Sequence, residues 1–367
     1  MLLRVDGFDY IPLASAQNAL TASHLTGGGW RFQPGALQDY YRPAIIAGVF
    51  GWGHALFVDA VFGAGPTYTN PNMVLPLGVS ATASGVVGAR MFRGSGTIAS
   101  PCLRLYDAVT NAPQLTVSLD AMGIIRLWRG DIGGTLLAAS DAGAFDDDRW
   151  MTVELKATIN TSTGEAEVRV NTGSVIHVVS TNTQATGVAG FDAVSVGCQI
   201  VGNAQAAFAL DDLYVCDLTG SVNNDFLGAV QVRTQFMAGA GATTDFTPNG
   251  AGTNWQAASN FGLDDTTYVS DGVVGDLDTY TVQAVVNASI VHGVQVRGAM
   301  RQDDATQITA RQVLKAGSTQ VTGADHLTNE SYQYYFDIWE LDPDTGLGWT
   351  GTEVNAIQVG PKVEAIA

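Results

Sequence analysis

The feature that most constrains this chain is a strict alternation of apolar and polar side chains in the middle of the sequence. Apolar and polar residues alternate across 151–158 and again across 165–171. Successive side chains of a β-strand point to opposite faces, so this spacing predicts strands with one face in a core and the other in water. The turn-forming stretches 160–164 and 171–173 separate these strands, which predicts an antiparallel meander.

The same β-strand pattern continues along most of the 367 residues, where glycines mark turns and β-branched residues fill the stretches between them. We therefore predict an all-β chain of two consecutive antiparallel β-sandwiches, a concanavalin A-like jelly roll followed by a second sandwich. The best candidate for a helix is 35–45, which Pro43 would end. The expected strands of the second half are 278–286, 291–301, 307–315, 331–342 and 355–365.

Glycine, asparagine and threonine become frequent after residue 217 and remain so up to residue 254. This change in composition predicts a first domain at 1–217, a linker or extended segment at 218–255, and a C-terminal β-sandwich at 256–367. Both predicted halves are acidic. Neither half is therefore expected to be a nucleic-acid module.

Charge and hydropathy exclude several classes of protein. The net charge is −18, with 17 basic residues against 35 acidic ones, whereas nucleic-acid binding requires a cationic surface. No apolar run approaches the length of about 20 residues that spans a bilayer, so we expect no membrane partner. The first apolar patch is interrupted by Asp6 and Asp9, and we expect no export by the general secretory route.

Three cysteines, Cys102, Cys198 and Cys216, are too few and too widely spaced for a disulfide framework. We expect buried thiols in a reducing compartment. A bridge between Cys198 and Cys216 is the alternative, because these residues fall on neighbouring predicted strands.

Several stretches resemble known proteins: DGFDYI at 6–11, RWMTVELKATINTSTGEAEVRV at 149–170 and FALDDLYVCD at 208–217. Together they resemble the concanavalin A-like lectin/glucanase fold as it occurs in tailed-phage virion proteins. The second half, especially 264–282 and 334–363, resembles a C-terminal domain of phage structural proteins. The resemblance implies that the first and last strands of the first domain lie close together in one sheet.

Enzymes of this fold carry Glu-x-Asp-x-x-Glu or Glu-x-Asp-x-Glu on one strand, and neither pattern occurs here. Such spacing places alternate carboxylates in one cleft for glycoside hydrolysis. We therefore predict no catalytic residues, no cofactor and no enzymatic activity. Calcium, which lectins of this fold bind, remains possible as a cofactor.

The acids Asp211 and Asp212 stand inside an apolar strand pattern. The period of two places Phe208, Leu210, Tyr214 and Cys216 on one face, and no register keeps both acids off an apolar face. A buried carboxylate needs hydrogen bonds. We expect Asp212 to clasp the first strand to the last, through Arg4 or the backbone of 6–11, and Asp211 to reach water or a turn. Calcium binding and catalysis are the alternatives.

A second run of acids, FDDDRW at 145–150, precedes the strand of the central meander. Its residues Asp146 and Asp148 are further calcium candidates, since carboxylate oxygens are the ligands that calcium prefers. The preferred interpretation is a solvated turn in which Arg149 screens the negative charge.

Aromatic residues fall on both faces of the predicted strand 331–342. Two faces covered by aromatic side chains indicate burial on both sides, with one side against the domain core and the other against a neighbouring subunit. A sugar-stacking platform is the alternative. The interface candidates are Tyr332, Tyr334, Tyr335 and Trp339, with Phe336 on the same face as Tyr332 and Tyr334.

The resemblance to phage proteins, with no catalytic acid pattern in the sequence, implies a non-enzymatic structural component of a tailed-phage virion: tail, baseplate, fibre or capsid decoration. It would be assembled in the bacterial host cytoplasm. Its expected partners are other virion proteins and copies of itself, in a homotrimer or ring, and host surface glycan is possible. The alternatives are a carbohydrate-binding module and a glycan depolymerase on the same scaffold.

Overall fold

The computed structural model describes residues 1–9, 11, 25, 29–32, 41–48, 54–60, 72–95, 100–199, 206–259, 263, 265–285 and 290–367. Over these residues the chain divides into two compact units, Met1–Arg233 (unit 1) and Thr234–Ala367 (unit 2). Each unit is built almost entirely of β-strands. The all-β prediction is therefore confirmed.

Unit 1 consists of two antiparallel sheets, A and B. Sheet A has the strand order β13-β12-β11-β6-β15-β4-β3, and β1 pairs with β15 beside β4. Its strands are β1 (Leu2–Asp6), β3 (Tyr41–Ala47), β4 (His54–Ala60), β6 (Ser84–Arg93), β11 (Trp150–Thr158), β12 (Gly164–Val170), β13 (Gly173–Thr181) and β15 (Ala206–Asp217). The first and last strands of the unit are thus hydrogen-bonded neighbours, as the resemblance implied.

Sheet B has the order β10-β9-β8-β7-β14-β5-β2. Its strands are β2 (Arg31–Phe32), β5 (Asn72–Pro76), β7 (Ser100–Asp107), β8 (Ala112–Leu119), β9 (Ile125–Arg129), β10 (Thr135–Ala139) and β14 (Ala193–Gln199). Met91 and Val153 of sheet A line one interior gap together with Val117 and Ile125 of sheet B. The inner faces therefore pack on each other as a sandwich, and the outer face of sheet A is the surface turned away from sheet B.

The helix predicted at 35–45 is wrong over its described part, because Tyr41–Ala47 is strand β3. Residues 35–40 lie outside the described residues. β3 is at the edge of sheet A in the described part of the chain. Proline lacks an N–H group and is tolerated at such an edge, so Pro43 does not prevent strand formation here.

Unit 2 is built around sheet C, of order β16-β19-β25-β21-β22, in which β23 also pairs with β21. Two ribbons, β17 with β18 and β20 with β24, accompany it. The strands are β16 (Met237–Thr244), β17 (Thr247–Asn249), β18 (Tyr268–Ser270), β19 (Asp278–Val282), β20 (Val294–Met300), β21 (Ile308–Ala316), β22 (Thr319–Thr322), β23 (His326–Leu327), β24 (Gln333–Trp339) and β25 (Gln358–Ile366). Val296 of β20 packs with Leu314 and Val359 of sheet C in one core, so unit 2 is also layered.

Helical structure in the described residues is limited to short segments. These include α1 (Asn254–Ala258) and α2 (Gly351–Val354). α2 begins with a capping box, in which Thr350 Oγ1 accepts from Glu353 N and a Glu353 carboxylate oxygen accepts from Thr350 N. No described helix has the length and apolar character needed to cross a bilayer.

The division between the units falls inside the predicted linker 218–255. β16 and β17 lie in that stretch and belong to unit 2. The alternating burial along β16 shows why it forms a strand despite its glycines: every second residue is half-buried, and the strand pairs with β19. The three cysteines are buried thiols, as expected, and the alternative bridge is not formed.

Candidate functional site

The adjacent acids Asp211 and Asp212 lie at a β-bulge of β15. The register between β6 and β15 jumps from Asp211 opposite Arg90 to Tyr214 opposite Gly88, and Asp212 adopts a left-handed φ of 53°. A bulge inserts extra residues into one strand and changes its alternation. Both acids can therefore leave the apolar inner face, which a regular strand would not allow.

The bulge also corrects the predicted faces of β15. Leu210 is opposite Met91 and Val215 is opposite Val87, and both partners lie on the inner face of β6. Tyr214 pairs with Gly88 on the outer face. The expectation that Leu210 and Tyr214 share a face is therefore wrong, because an inserted residue shifts the period of two.

Tyr214 reaches across β6 to a buried glutamate on β11. Gly88 is opposite Tyr214 on one side and Glu154 on the other. The ring of Tyr214 lies over Gly88 so closely that a Cβ at residue 88 would be 2.2 Å from Tyr214 Cε1. The Tyr214 hydroxyl donates to Glu154 Oε1, and Glu154 is fully buried. A glycine at position 88 is thus required for this contact.

Residues 225–233, which we call the strap, cover this outer face of sheet A. Gly228 N donates to Glu154 Oε1 at 2.8 Å, and Leu227 N donates to the Tyr214 hydroxyl at 3.1 Å. The Tyr214 hydroxyl therefore donates to Glu154 and accepts from the strap at the same time. These side chains recognise the main chain of the strap rather than its side chains.

The second half of the strap is bound by Arg90 and Asp212. Arg90 donates to the carbonyl oxygens of Ala229 and Val230 at 3.3 Å, and Asp212 Oδ1 accepts from Val232 N at 2.7 Å. Arg90 Nε also lies 3.0 Å from Asp212 Oδ2. The alignment there is too poor for a hydrogen bond, so this contact is an ion pair only.

These contacts differ from the expected clasp. The first and last strands are joined by the β1–β15 ladder itself, and the Asp212 carboxylate accepts from Val232 N of the strap. The strap approaches the N-terminal segment closely, since a Cβ at Gly7 would be 2.8 Å from Val232 O. Asp212 therefore fastens the segment that follows β15, and Asp211 Oδ1 accepts from Asp212 N.

The first residues of the strap are held by cationic side chains. Asp225 forms an ion pair with Lys156 at 2.8 Å. The hydrogen bond from Lys156 lowers the pKa of Asp225. The ring of Phe226 lies 3.9 Å from the Arg169 guanidinium and 5.5 Å from Lys156 Nζ, measured to the ring centroid. Cation–π contacts of this kind are favourable, so the strap has both an ionic and an aromatic anchor.

Burial raises the pKa of both Asp212 and Tyr214 under the strap. Desolvation raises the pKa of Asp212 to about 6, against the opposing effects of the Val232 hydrogen bond and the Arg90 charge. Desolvation and the neighbouring Glu154 also raise the pKa of Tyr214. Tyr214 consequently remains a proton donor at neutral pH, which is the form that its bond to Glu154 requires.

The chemical capacity of this face is to hold a peptide segment. Each of the two buried carboxylates uses one oxygen on a strap amide, while Glu154 Oε2 and Asp212 Oδ2 make no hydrogen bond. Among the described residues no group of three His, Cys, Asp or Glu side chains is placed to hold a metal ion. Of the predicted calcium candidates, Asp212 binds the strap and Asp211 Oδ1 accepts from Asp212 N, and calcium binding by these residues stays a prediction.

The other calcium candidates lie in a turn before β11. Asp148 Oδ1 accepts from Ser95 N at 2.9 Å, and this bond lowers the pKa of Asp148. Asp146 lies 3.5 Å from Arg149. These contacts fit the interpretation of a turn whose charge is screened by Arg149, and they use protein groups rather than an ion.

The aromatic candidates of unit 2 lie on the β20–β24 ribbon. Trp339 packs against the core of the unit, and the Tyr335 hydroxyl donates to Leu327 O at 2.7 Å. Tyr332 and Tyr334, on the opposite face, are half-buried beside Arg301 and Arg297. Burial raises the pKa of Tyr334 to about 12. A subunit contact at this second face stays a prediction.

Sequence reasoning missed Glu154, Tyr214, Arg90 and the strap as one arrangement. The alternation of residues predicts that Glu154 lies on the solvent-exposed face of its strand, and the composition predicts that the strap is part of a polar linker. One signal could have found part of it: Gly88 lies within the apolar stretch 86–89 of β6, and glycine inside a strand often marks the close approach of another group.

No family model matches the chain, and no curated protein matches it. Solved structures similar to part of this chain include a carbohydrate-binding module, CBM66, from Bacillus subtilis (9% identity, 51% of this chain and 94% of that one, TM-score 0.34). Others are the conserved carbohydrate esterase of Shiga toxin-encoding bacteriophage phi24B (14%, 59% and 97%, 0.37) and the β-glucanase of Bacillus licheniformis (9%, 58% and 97%, 0.37). At such identities and TM-scores, these likenesses carry no conclusion about activity.

Proposed function

We propose that this chain is a non-enzymatic structural protein of a tailed-phage virion, in which unit 1 is an anchoring platform and unit 2 is carried by it. The observation that carries the proposal is the strap. The buried acids Glu154 and Asp212, the outer-face groups best suited to acid–base chemistry, bind main-chain amides of the strap. A face that is filled by its own chain serves attachment rather than turnover.

The strap also directly precedes unit 2 in the sequence. It ends at Arg233, and unit 2 begins at the next residue. The bonds from Arg90 and Asp212 fix the last residues of unit 1 before the chain enters unit 2. Together with the sequence resemblance to phage structural proteins, this fastening supports a role in assembly. Other virion proteins and further copies of the chain are the proposed partners.

The direct test is to quantify the chain in particles purified by density gradient from the bacterium that produces it. A structural role predicts a fixed copy number per particle and labelling of intact particles by an antibody against unit 2. Absence from the particles would contradict the proposal. In parallel, release of reducing ends from host polysaccharide by the purified chain should equal that of a Glu154→Gln/Asp212→Asn variant and of buffer, whereas turnover would indicate the depolymerase alternative.

Carbohydrate binding is a second candidate, favoured by the aromatic face of the β20–β24 ribbon. Tyr332 and Tyr334 lie there with arginine side chains beside their rings, a combination that can stack on a sugar and hydrogen-bond its hydroxyls. Binding on a glycan array should then disappear in Tyr332→Ala and persist in Tyr335→Phe, which changes the inner face of the ribbon. A chain that binds no glycan on the array removes this candidate.

A further inference from the structure

We infer that two copies of this chain associate through β13, the strand at one edge of sheet A. The two β13 strands pair antiparallel about a two-fold axis at His177. The inference rests on the proposed structural role and deepens it, because it names a surface through which copies assemble. It gives a dimer, where the sequence patterns predicted a trimer or a ring.

β13 is open along one of its two edges. It pairs with β12 on one side, and no strand in the described part of the chain pairs with its other side. Its outer side chains are exposed, with 48% of the His177 side chain and 57% of Val179 accessible to solvent. The main-chain N–H and C=O groups of such an edge can pair with another strand. A further strand can therefore extend sheet A at β13.

The two edges of sheet A differ in the residues that oppose pairing. β3, at the other edge of the described sheet, contains Arg42 and Pro43, and charged residues and proline both discourage the pairing of edge strands. β13 contains no Asp, Glu, Lys, Arg or Pro. The same is true of β10, an edge strand of sheet B that contacts β13. The β13 side of unit 1 therefore lacks the residues that keep edge strands apart.

The sequence of β13 is complementary to itself, and this property identifies the second strand. The same class of residue occurs at equal distances before and after His177: Ile176 and Val178, Val175 and Val179, Ser174 and Ser180. An antiparallel pair of β13 strands with His177 opposite its own copy places apolar residues opposite apolar ones and serine opposite serine. Cross-strand pairs stabilise a sheet, and a two-fold contact is the commonest form of self-association. The strand that fits this edge is therefore β13 of a second copy.

The regular part of β13 is centred on the same residue. β12 and β13 pair without a shift over residues 176–178, and the register shifts on either side of that stretch. Ser180 has a left-handed φ of 51°. Bulges bend a strand and limit the length over which it pairs. The stretch available to a second copy is therefore short and symmetric about His177.

The distribution of charge also favours a contact at this edge. Each copy carries a net charge of −18, so two copies repel each other over much of their surface. The acids of β12 beside β13 have cationic or imidazole partners at 2.8 Å: Glu165 contacts His177 and Glu167 contacts Arg169. Two copies can therefore approach here with less repulsion than at an unpaired acidic surface.

Oxidation of variants with one added cysteine tests the axis. Opposite residues of an antiparallel pair have Cα atoms about 4.5–5.5 Å apart, a separation that suits a disulfide, and only the residue on the axis is opposite its own copy. His177→Cys should therefore give a disulfide-linked dimer. Val175→Cys would lie about 13 Å from its own copy and should give several-fold less dimer. The native cysteines are buried and do not compete.

The mass of the chain in solution is an independent test. The unaltered chain should be a dimer by light scattering, and Val179→Lys should be a monomer, because lysine on an edge strand opposes pairing. The matched control is Val109→Lys, at a position that is 82% exposed between β7 and β8, and it should remain a dimer. Both variants change exposed side chains, so both should keep the calorimetric transitions of the unaltered chain.

Three results would overturn the inference. They are a monomeric or trimeric mass for the unaltered chain, equal yields of disulfide-linked dimer from His177→Cys and Val175→Cys, and a dimer that persists in Val179→Lys. The presence of the chain in purified particles is measured separately, so the failure of this contact and the failure of the proposed structural role are distinguishable.

Discussion

Replacing Gly88 by alanine is the sharpest perturbation of the strap-covered face, because it acts through one atom. The new Cβ would lie 2.2 Å from Tyr214 Cε1 and 2.8 Å from the Tyr214 hydroxyl oxygen. Both neighbours are parts of one ring, so the whole side chain must leave its place. Tyr214 then loses its bonds to Glu154 and to Leu227 N.

The expected cost follows from these two bonds. A hydrogen bond to a charged group contributes about 1.5–3 kcal/mol and a neutral one about 1 kcal/mol, so Gly88→Ala should lower the free energy of unfolding of unit 1 by about 3 kcal/mol. For a unit of this size, that corresponds to about 6–12 °C in Tm. Differential scanning calorimetry of the whole chain measures it, since a two-unit protein can show separate transitions.

The control is Gly187→Ala, because no atom lies within 4 Å of a Cβ at that exposed position. Gly187→Ala should stay within about 0.5 kcal/mol of the unaltered chain. In the double variant Gly88→Ala/Tyr214→Ala the added methyl group has no ring to displace, so it should cost little beyond Tyr214→Ala alone. Equal stability of Gly88→Ala and Gly187→Ala would refute the placement of Tyr214 over Gly88.

Three further predictions test the account. Burial raises the pKa of Asp212 from 3.8 to about 6, so the folded chain keeps a proton that the unfolded chain has lost. Its contribution to stability is complete below about pH 4 and falls as the pH rises through 6, by about 3 kcal/mol. Asp212→Asn should abolish this fall, and a difference in unfolding free energy from the unaltered chain that does not vary between pH 4 and 7 would contradict the prediction. Arg104→Ala should destabilise unit 1 by about 3 kcal/mol in urea titrations, because this buried guanidinium bonds to Asp131 Oδ1 and to Asn72; Asp131→Asn should cost less, since the Asp131 side chain is 42% exposed. Asp278→Ala removes the acceptor of Phe246 N, Asn254 Nδ2 and the Tyr280 hydroxyl, so it should lower the calorimetric transition of unit 2 by about 3 kcal/mol and leave that of unit 1 unchanged.

Local patterns in the sequence predicted the strands well. The alternation at 151–158 corresponds to β11 (Trp150–Thr158), and the stretch 307–315 to β21 (Ile308–Ala316). The hairpin turn at 315–320 is also present, where Ala316 pairs with Thr319 around Gly317. These features depend on side chains close together in sequence, so a single sequence contains the information that fixes them.

The site depended on contacts that no local pattern contains. Two adjacent aspartates indicated a conflict in β15, but the bulge that resolves it also requires Arg90 on β6 and Val232 on the strap. The sequence predicts the strap as part of a linker. Glu154, Tyr214, Arg90 and Asp212 bind main-chain atoms of the strap, and every sequence has such atoms. Its anchors on sheet A lie from 13 to 140 residues away in the sequence, and pairing over the longer separations, to Glu154 and Arg90, is decided by the fold.

The central claim is that residues 225–233 are bound to the outer face of sheet A, and amide hydrogen exchange tests it most directly. The amides of Leu227, Gly228 and Val232 each donate to a side chain of that face. They should exchange about a hundred-fold more slowly than the amide of Ser221 in the exposed segment 218–224. The reason is that a hydrogen-bonded amide exchanges only when its segment unfolds locally. Exchange of all four amides at the same fast rate would contradict the account.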